Sequence, residues 1–560
     1  MEYTRDILER EIQKQLDASL DDLKVWEESK YYIDPKIPTN FWKEVKDAPA
    51  VAVVGDYDCD GICSSYISIK AVKTACPDKK MYVRIPRRFS EGYGINSKIA
   101  DEIREKLPKG SVVITVDNGI SAGPVLEELE RDGYKVLLTD HHELKEGVEI
   151  PKVTMVIDPV VPGADEGFEF KKWCGAALIY KIAEPILPAD LAESLEVYAG
   201  VATVADCMEL TEGNWGMVRR TAKAFREGKA PEALALMTIA SKQDPNFANE
   251  DTFGYYLGPC FNAAGRLTDE GPNAVLKYLL KPDDRKLDQL IEYNKERKRL
   301  RDEEYELVKA EISRTSQQNA FPMWIYVPGL HEGIVGILAG KITEDFNVPA
   351  IVLTDARGKE GIIKGSARSV EDFDMFKYLS GVSDKLESFG GHPGAAGLSL
   401  KKENYEELKA SQEFRLVSVG EEATIHIIPE DIPEICNILD KYRPFGEGNP
   451  APIFSLDFNK NIGTRFVGAE ENHLLAQPED KSFKITHWNH IPNDLKNTNI
   501  FGMDGKISGT AYNGVETPTF NASKVYDIVS ARSSDTKEGH LHIKTAKEDR
   551  SRELKEELEF

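Results

Sequence analysis

Between residue 50 and about residue 159, short apolar runs rich in β-branched residues alternate with stretches of helical character. The runs cover residues 51–54, 81–83, 112–116, 136–138 and 153–157. Strands alternating with helices predict a parallel sheet covered by helices on both faces. Residues 1 to about 45 read as helix and loop packed onto this unit, and residues 172 to about 282 as mainly helical, punctuated by Gly and Pro. The stretch 283–316 carries neither Gly nor Pro, and Leu287, Leu290, Ile291, Leu300, Leu307, Val308 and Ile312 recur there loosely at helical spacing. One helix of about 30 residues is expected, about 45 Å long and acting as a connector between domains. Runs at 324–327 and 350–353 open a second α/β unit that continues to about residue 411. From about 421 to 529 the chain turns β-rich, with runs at 424–428, 453–458 and 483–488, as a small barrel or sandwich would require. The last stretch, from Ser533, is strongly charged.

Composition narrows this picture only in part. The 560 residues exceed what one hydrophobic core can organise, roughly 250 to 300 residues, so several domains are expected. With 41% hydrophobic and 30% charged residues, and no run near the roughly 20 apolar residues of a membrane helix, no membrane association is expected. The charged amino terminus lacks the apolar core of a secretory signal, which makes the cytoplasm the expected location. The seven cysteines show no CxxC or Cys/His ligand spacing, and Cys59 and Cys63 read as small buried hydrophobes. The net charge of −24 argues against indiscriminate adhesion to a polyanion. It does not exclude a nucleic-acid substrate, because positive charge is needed only where the strand lies and bound divalent cations add to it. Basic residues gather at Arg84, Arg87 and Arg88, and again between Lys295 and Arg301, where a solvated surface is the expected reading.

The chemistry lies in acidic residues and histidines that follow successive strands. Residues 51–54 lead into Asp56-Tyr57-Asp58-Cys59-Asp60-Gly61, residues 112–116 into Asp117-Asn118-Gly119, and residues 136–138 into Asp140-His141-His142. In an open parallel sheet these positions share the carboxyl edge, where ligands bind. Taken singly, Asp117 or Asp140 reads as a turn or cap residue and the histidines as a satisfied pair. Together they make one crevice whose carboxylates need protons or cations to coexist. Oxygen donors with one or two imidazoles suit Mn²⁺, with Mg²⁺ as the other choice. Two such ions about 3.5 to 4 Å apart suit in-line phosphoryl displacement.

These motifs, with Val204-Ala205-Asp206 and the glycine-rich run from Phe389 to Gly397, resemble the DHH phosphoesterases. The RecJ branch is indicated by Ile85-Pro86-Arg87-Arg88 before Glu91-Gly92-Tyr93-Gly94, by Asn262 to Leu267, by Leu330 to Gly336, by Gly365 to Ser369 and by Pro444 to Pro450. The resemblance covers about residues 50 to 530. It implies an α/β fold: a parallel-sheet DHH domain, a long helix, a second α/β DHH-associated domain, and a β-rich OB-like domain. The corresponding limits are 1–45 for the N-terminal helical segment, 46–282, 283–316, 317–411 and 412–532, with 533–560 as a charged tail.

The resemblance further implies that Asp58, Asp60, Asp117, His141 and Asp206 hold two Mn²⁺ or Mg²⁺ ions, with Asp117 bridging and Asp56 ligating or supporting. Many relatives carry a histidine where this chain has Val54, so Asp56 or water is the expected substitute. Asp117, His141 and His142 are the expected catalytic residues, His142 as a phosphate contact. Arg88, Arg266 and Arg368 are expected to grip phosphates, joined by His331, Ser366, His392 and the backbone at Gly391. The implied activity is a 5′ to 3′ exonuclease on single-stranded DNA that releases 5′-mononucleotides in recombination and repair. Selectivity for single strands would follow if the two α/β units close over the crevice and the OB-like domain holds the strand upstream. The expected partners are single-stranded DNA, a helicase and a single-strand-binding protein, with the chain a monomer. Two other readings remain: a phosphodiesterase for short oligoribonucleotides or cyclic dinucleotides, and an inactive replication scaffold. The second requires lost acidic ligands, and here they are present.

Overall fold

The computed structural model describes residues 5–414 apart from 8, 11–12, 15–17, 30, 145–146, 165–166, 318–319 and 371–372. It also describes residues 425–427 and 432–451 and, beyond these, the backbone of the strands between 453 and 543. Contacts divide the chain into two compact units, one of residues 1–85, 94–258 and 422–560, the other of residues 86–93 and 259–421.

The first unit is built on five parallel strands, β1 (Ala50–Val54), β2 (Lys80–Arg84), β3 (Val112–Val116), β4 (Lys135–Thr139) and β5 (Met155–Ile157), in the order β2-β1-β3-β4-β5. Every residue of β1 and β3 is buried, which is why those runs are continuously apolar rather than alternating. One face packs Ala52, Val54, Val113, Val136 and Leu138 against Ile99 and Ile103 of α2 (Ser97–Lys106) and Leu126 and Leu129 of α3 (Gly123–Arg131). The other carries α1 (Cys59–Ala75), which packs on α4 (Gly175–Ala183) and α5 (Ala189–Ala205), with α6 (Glu212–Arg226) against α5. Cys59 and Cys63 are buried and outside any disulfide, in keeping with their reading as small buried hydrophobes. Because β1 lies between β2 and β3, the strand order reverses beside it, and the chain leaving β1 and β3 flanks the switch point where a crevice opens.

In the second unit a single helix, α7 (Asp284–Arg314), runs for 31 residues. Asp283 caps it by accepting from the Lys286 N–H at 2.9 Å. The longer of the unit's two segments begins before that helix, at Pro259. Its sheet has the order β9-β10-β8-β7-β6, formed by β6 (Met323–Tyr326), β7 (Ala350–Asp355), β8 (Ile362–Arg368), β9 (Ser388–His392) and β10 (Ala395–Lys401). Only β6 and β7 are parallel; the remaining neighbours are antiparallel. The glycine-rich run, which alone reads as a tight turn, forms the hairpin between β9 and β10. A Cβ on Gly391, at φ +149°, would lie 2.2 Å from the Ala395 carbonyl oxygen.

The β-rich segment is a sheet of eight described strands that includes Ile425–Ile427, Ile453–Asp457 and Phe483–His487. Thr424, Ile428, Phe458 and Trp488, at the ends of the expected runs, lie outside the described residues. The sheet also takes in Gly539–Ile543, paired with Val525–Arg532, within the stretch read from sequence as a charged tail. Strand hydrogen bonding needs only backbone, so the surrounding charge did not forbid it.

Candidate metal centre

Asp56, Asp58 and Asp60 occupy the turn from β1 into α1. Asp58 caps the helix, accepting from the Gly61 N–H at 3.0 Å. The turn closes so tightly that a Cβ on Gly61 would stand 2.5 Å from the Asp56 nitrogen. Asp60 is gripped from across the crevice by the first turn of α4, its two oxygens accepting from Gly175 N–H at 2.6 Å and Ala176 N–H at 2.7 Å. The positive end of that helix favours its charge.

Asp117 leaves β3 in the left-handed region, at φ 59°. Gly175 lies against it, and a Cβ there would come within 2.6 Å of the Asp117 Cβ. Asn118 ties the strand ends together by donating to the Val54 and Val116 carbonyls at 3.1 and 2.9 Å and accepting from the Ile95 N–H at 3.1 Å. His141, half-buried after β4, has its Nε2 3.1 Å from Asp117 Oδ1, 3.5 Å from Asp60 Oδ2 and 3.6 Å from Asp206 Oδ2. Asp206 caps the carboxyl end of α5.

The donor atoms fall into groups sized for a cation, each with its atoms within 4.8 Å of one another. One is Asp56, Asp58 and Asp117; another is Asp60, His141 and Asp206; a third links Asp117 with His141 and His142. All the residues expected to bind metal are therefore brought together, with Asp117 a member of the first group and in contact with His141 of the second. Burial, then repulsion from Asp60, Asp58, Asp206 and Asp56, pushes Asp117 well above the carboxylate range. Burial with Asp60 and Asp58 does the same to Asp206, and burial with Asp58 raises Asp60 to about 6. His141 is lowered to about 3 by burial and by His142, so it presents a neutral ring able to ligate. Crowded carboxylates with a neutral imidazole are a donor set that fits Mn²⁺ or Mg²⁺.

Apart from His142, the residues expected to meet phosphate all belong to the second unit. Arg266 donates to the Gly333 carbonyl at 3.3 Å, and Gly333 packs so closely that a Cβ would meet the Arg266 carbonyl oxygen at 2.0 Å. His331 stands edge-on to Phe89, and Arg88 bears on its charge. On β8, Arg368 donates to Ser366 Oγ at 2.8 Å. The register aligns Arg368, Ala395 and His392 in one row across three strands, while Gly391 stands one residue before His392 on β9. Gly336, three residues past Gly333, brings the start of α8 (Val335–Phe346) against Ser366 and Arg368.

Sequence reasoning passed over the supports. Asp140, read singly as a turn residue, is a buried brace for the two histidines. The Gly175 and Ala176 amides carry no side-chain signal at all. Glu304, in the middle of α7, accepts from the His331 N–H at 2.8 Å, a link of 27 residues that no local pattern announces.

The profile of the DHH family N-terminal domain matches residues 50–208, that of the DHHA1 domain residues 323–414, and that of the RecJ OB domain residues 426–524. Fold and site thus define a DHH-class protein with its associated domain. The chain is 32% identical over 461 residues to the single-stranded-DNA-specific exonuclease RecJ of Bacillus subtilis (strain 168), covering 78% of this chain but 55% of that one. It is 28% identical over 471 residues to the RecJ of Salmonella typhimurium, covering 77% and 79%. The fold of RecJ from Thermus thermophilus, solved in complex with Mn²⁺, matches with a TM-score of 0.67 at 20% identity, covering 96% of this chain and 77% of that one. The chain carries the DHH, DHHA1 and RecJ OB domains in the order of the RecJ proteins it resembles, and spans little more than half the length of its Bacillus relative.

Proposed function

We propose that this chain is a divalent-metal-dependent exonuclease that digests single-stranded DNA from its 5′ end and releases 5′-mononucleotides. The observation that carries the reading is the pair of ligand groups set around Asp117, Asp56 with Asp58 on one side and Asp60, His141 and Asp206 on the other. The relatives named single-stranded-DNA-specific exonucleases support the substrate. Mn²⁺ is the preferred occupant and Mg²⁺ the second choice. Two such ions, when bound, supply Lewis-acid charge to a phosphoryl oxygen and acidify a water.

The chain's own groups do the rest. His142, which Asp140 keeps protonated, donates to a phosphate oxygen. Asp117 joins the two ligand groups, and Arg88, Arg266, His331, Ser366, Arg368, the Gly391 amide and His392 hold the backbone phosphates of the strand. The same reading places the protein in the cytoplasm as a monomer, serving recombination and repair beside a helicase and a single-strand-binding protein. Among the described residues no helix is long and apolar enough to cross a membrane.

The test is an Mn²⁺ titration with a 40-mer single strand labelled at each end in turn, alongside a blunt duplex and a dinucleotide. Early release of the 5′ label from the single strand, with the duplex resistant, is expected. Equal digestion of duplex and single strand, or turnover of the dinucleotide alone, would refute it.

A further inference from the structure

The run from Pro444 to Pro450, one of the motifs that indicate the RecJ branch, has no chemical part in the proposed function, and neither has Arg443 before it. Its position is informative. Arg443 forms a buried ion pair with Glu250, whose Oε1 also accepts from the Phe445 N–H at 3.0 Å. Asn449 closes the loop on itself by donating to the Pro444 carbonyl at 2.6 Å. Held in this way, the Glu447 carbonyl accepts from the Leu210 N–H at 2.7 Å. Gly446 sits against Leu210, where a Cβ would come within 2.7 Å of Cδ1, and Gly448, at φ +68°, packs on Glu209 and Thr211.

Leu210 is four residues past Asp206. Between them the chain turns through Cys207, which adopts φ 54°. The far end of that turn is held a second time by the buried Asn214, which donates to the Glu209 carbonyl at 3.0 Å and to the Lys172 carbonyl at 2.7 Å. Lys172 is three residues before Gly175, whose amide grips Asp60. Asp60 and Asp206 thus belong to one ligand group, and the segments bearing their supports are joined by Asn214 and covered by the loop from Arg443 to Pro450.

We infer that this loop is a positioning strap for the Asp60, His141 and Asp206 group. It connects a loop of the OB-like domain to one half of the metal centre and leaves the Asp56, Asp58 and Asp117 group to the β1 and β3 turns. Partners that orient ligands in this way typically change metal affinity by roughly 10- to 100-fold when lost. The inference rests on the metal reading of the cluster.

The experiment lifts the strap without touching a ligand. Gly446→Val wedges the exposed tip of the loop away from Leu210, Leu210→Ala removes the atoms it strikes, and the double variant relieves the clash. Mn²⁺ binding to the full-length chain is followed by calorimetry, with the melting temperature measured in parallel. Two ions are expected in the parent. In Gly446→Val one should weaken roughly 10- to 100-fold and the other hold, with affinity recovered in the double variant. Unchanged binding in Gly446→Val, or both ions weakening in step with the melting temperature, would overturn the strap. A parent chain that binds no Mn²⁺ would overturn the metal reading itself, a different failure.

Discussion

The imidazole of His142 donates from Nδ1 to Asp140 Oδ1 across 2.8 Å. The same oxygen accepts the His141 N–H at 2.9 Å, and Oδ2 accepts the Ile120 N–H at 2.9 Å. One buried carboxylate thus orients both histidines and the turn that follows Asp117. Burial opposes the charge of each partner, yet their mutual attraction holds Asp140 below its ordinary value and raises His142 to about 9.

Asp140→Asn keeps the size of this brace and removes its charge, its oxygen still accepting from His142 and His141 while its NH2 faces the Ile120 N–H. His142 should then titrate near its ordinary value of about 6.5 and be neutral at pH 8. The turnover of single-stranded DNA should fall roughly 10- to 100-fold at pH 8 and much less at pH 6, with Mn²⁺ affinity little changed. A pH profile parallel to that of the parent would show that His142 does not act as a charged donor.

Asp117 is best tested by asparagine rather than alanine. At φ 59° an alanine adds a backbone cost of roughly 1 to 2 kcal/mol, which asparagine largely avoids, so folding and ligation separate cleanly. Asp117→Asn should melt close to the parent in EDTA, lose the stabilisation that Mn²⁺ gives, and cut hydrolysis by at least about 100-fold, the upper end for losing a mere supporting partner. Retained activity would remove Asp117 from the centre.

Charge crowding makes a prediction about the metal-free protein. Asp60, raised to about 6, and Asp117 and Asp206, raised further, keep protons in the folded chain that ordinary carboxylates near 3.9 have released in the unfolded one. The folded state therefore binds more protons above pH 4, and stability falls as pH rises through these values. Asp60 alone contributes a loss on the order of 3 kcal/mol. Asp158, pushed to about 8 by burial and Asp140, and His142, at about 9, act in the same direction, while His141, lowered to about 3, opposes them only below its ordinary value. In EDTA the melting temperature should be lower at pH 8 than at pH 5, and Mn²⁺ should raise it more at pH 8, since ions displace the retained protons. A melting temperature that climbs from pH 5 to pH 8 in EDTA would contradict this.

The sheet of the first unit was legible because β1 and β3 are buried on both faces and so spell unbroken apolar runs. The carboxylates were legible because they follow those runs directly. The α7 helix announced itself by lacking Gly and Pro for 31 residues. What stayed hidden depends on contacts distant in sequence or on backbone alone. The amides of Gly175 and Ala176 reach Asp60 across more than a hundred residues, and Glu304 finds His331 only once α7 packs on the loop after β6. The antiparallel half of the second sheet was missed because its strand β9 is largely glycine and exposed positions, with no apolar signature.

Arg368 tests the phosphate assignment without disturbing the metal centre. Its guanidinium, a planar fork of five N–H donors, is anchored on Ser366 Oγ and on the Ala367 carbonyl at 2.9 Å. Arg368→Lys keeps the charge and loses the planar fork; Arg368→Ala loses both. If the side chain neutralises one phosphate of a single strand, removing it should flatten the slope of log affinity against log salt by about 0.7. Lysine should preserve the slope while raising KM through the lost bidentate contact. The slopes come from binding to a catalytically silent Asp117→Asn background at several KCl concentrations, with the melting temperature as the folding control. Identical slopes for parent and alanine would place Arg368 away from the strand, leaving its bond to Ser366 a purely structural tie within β8.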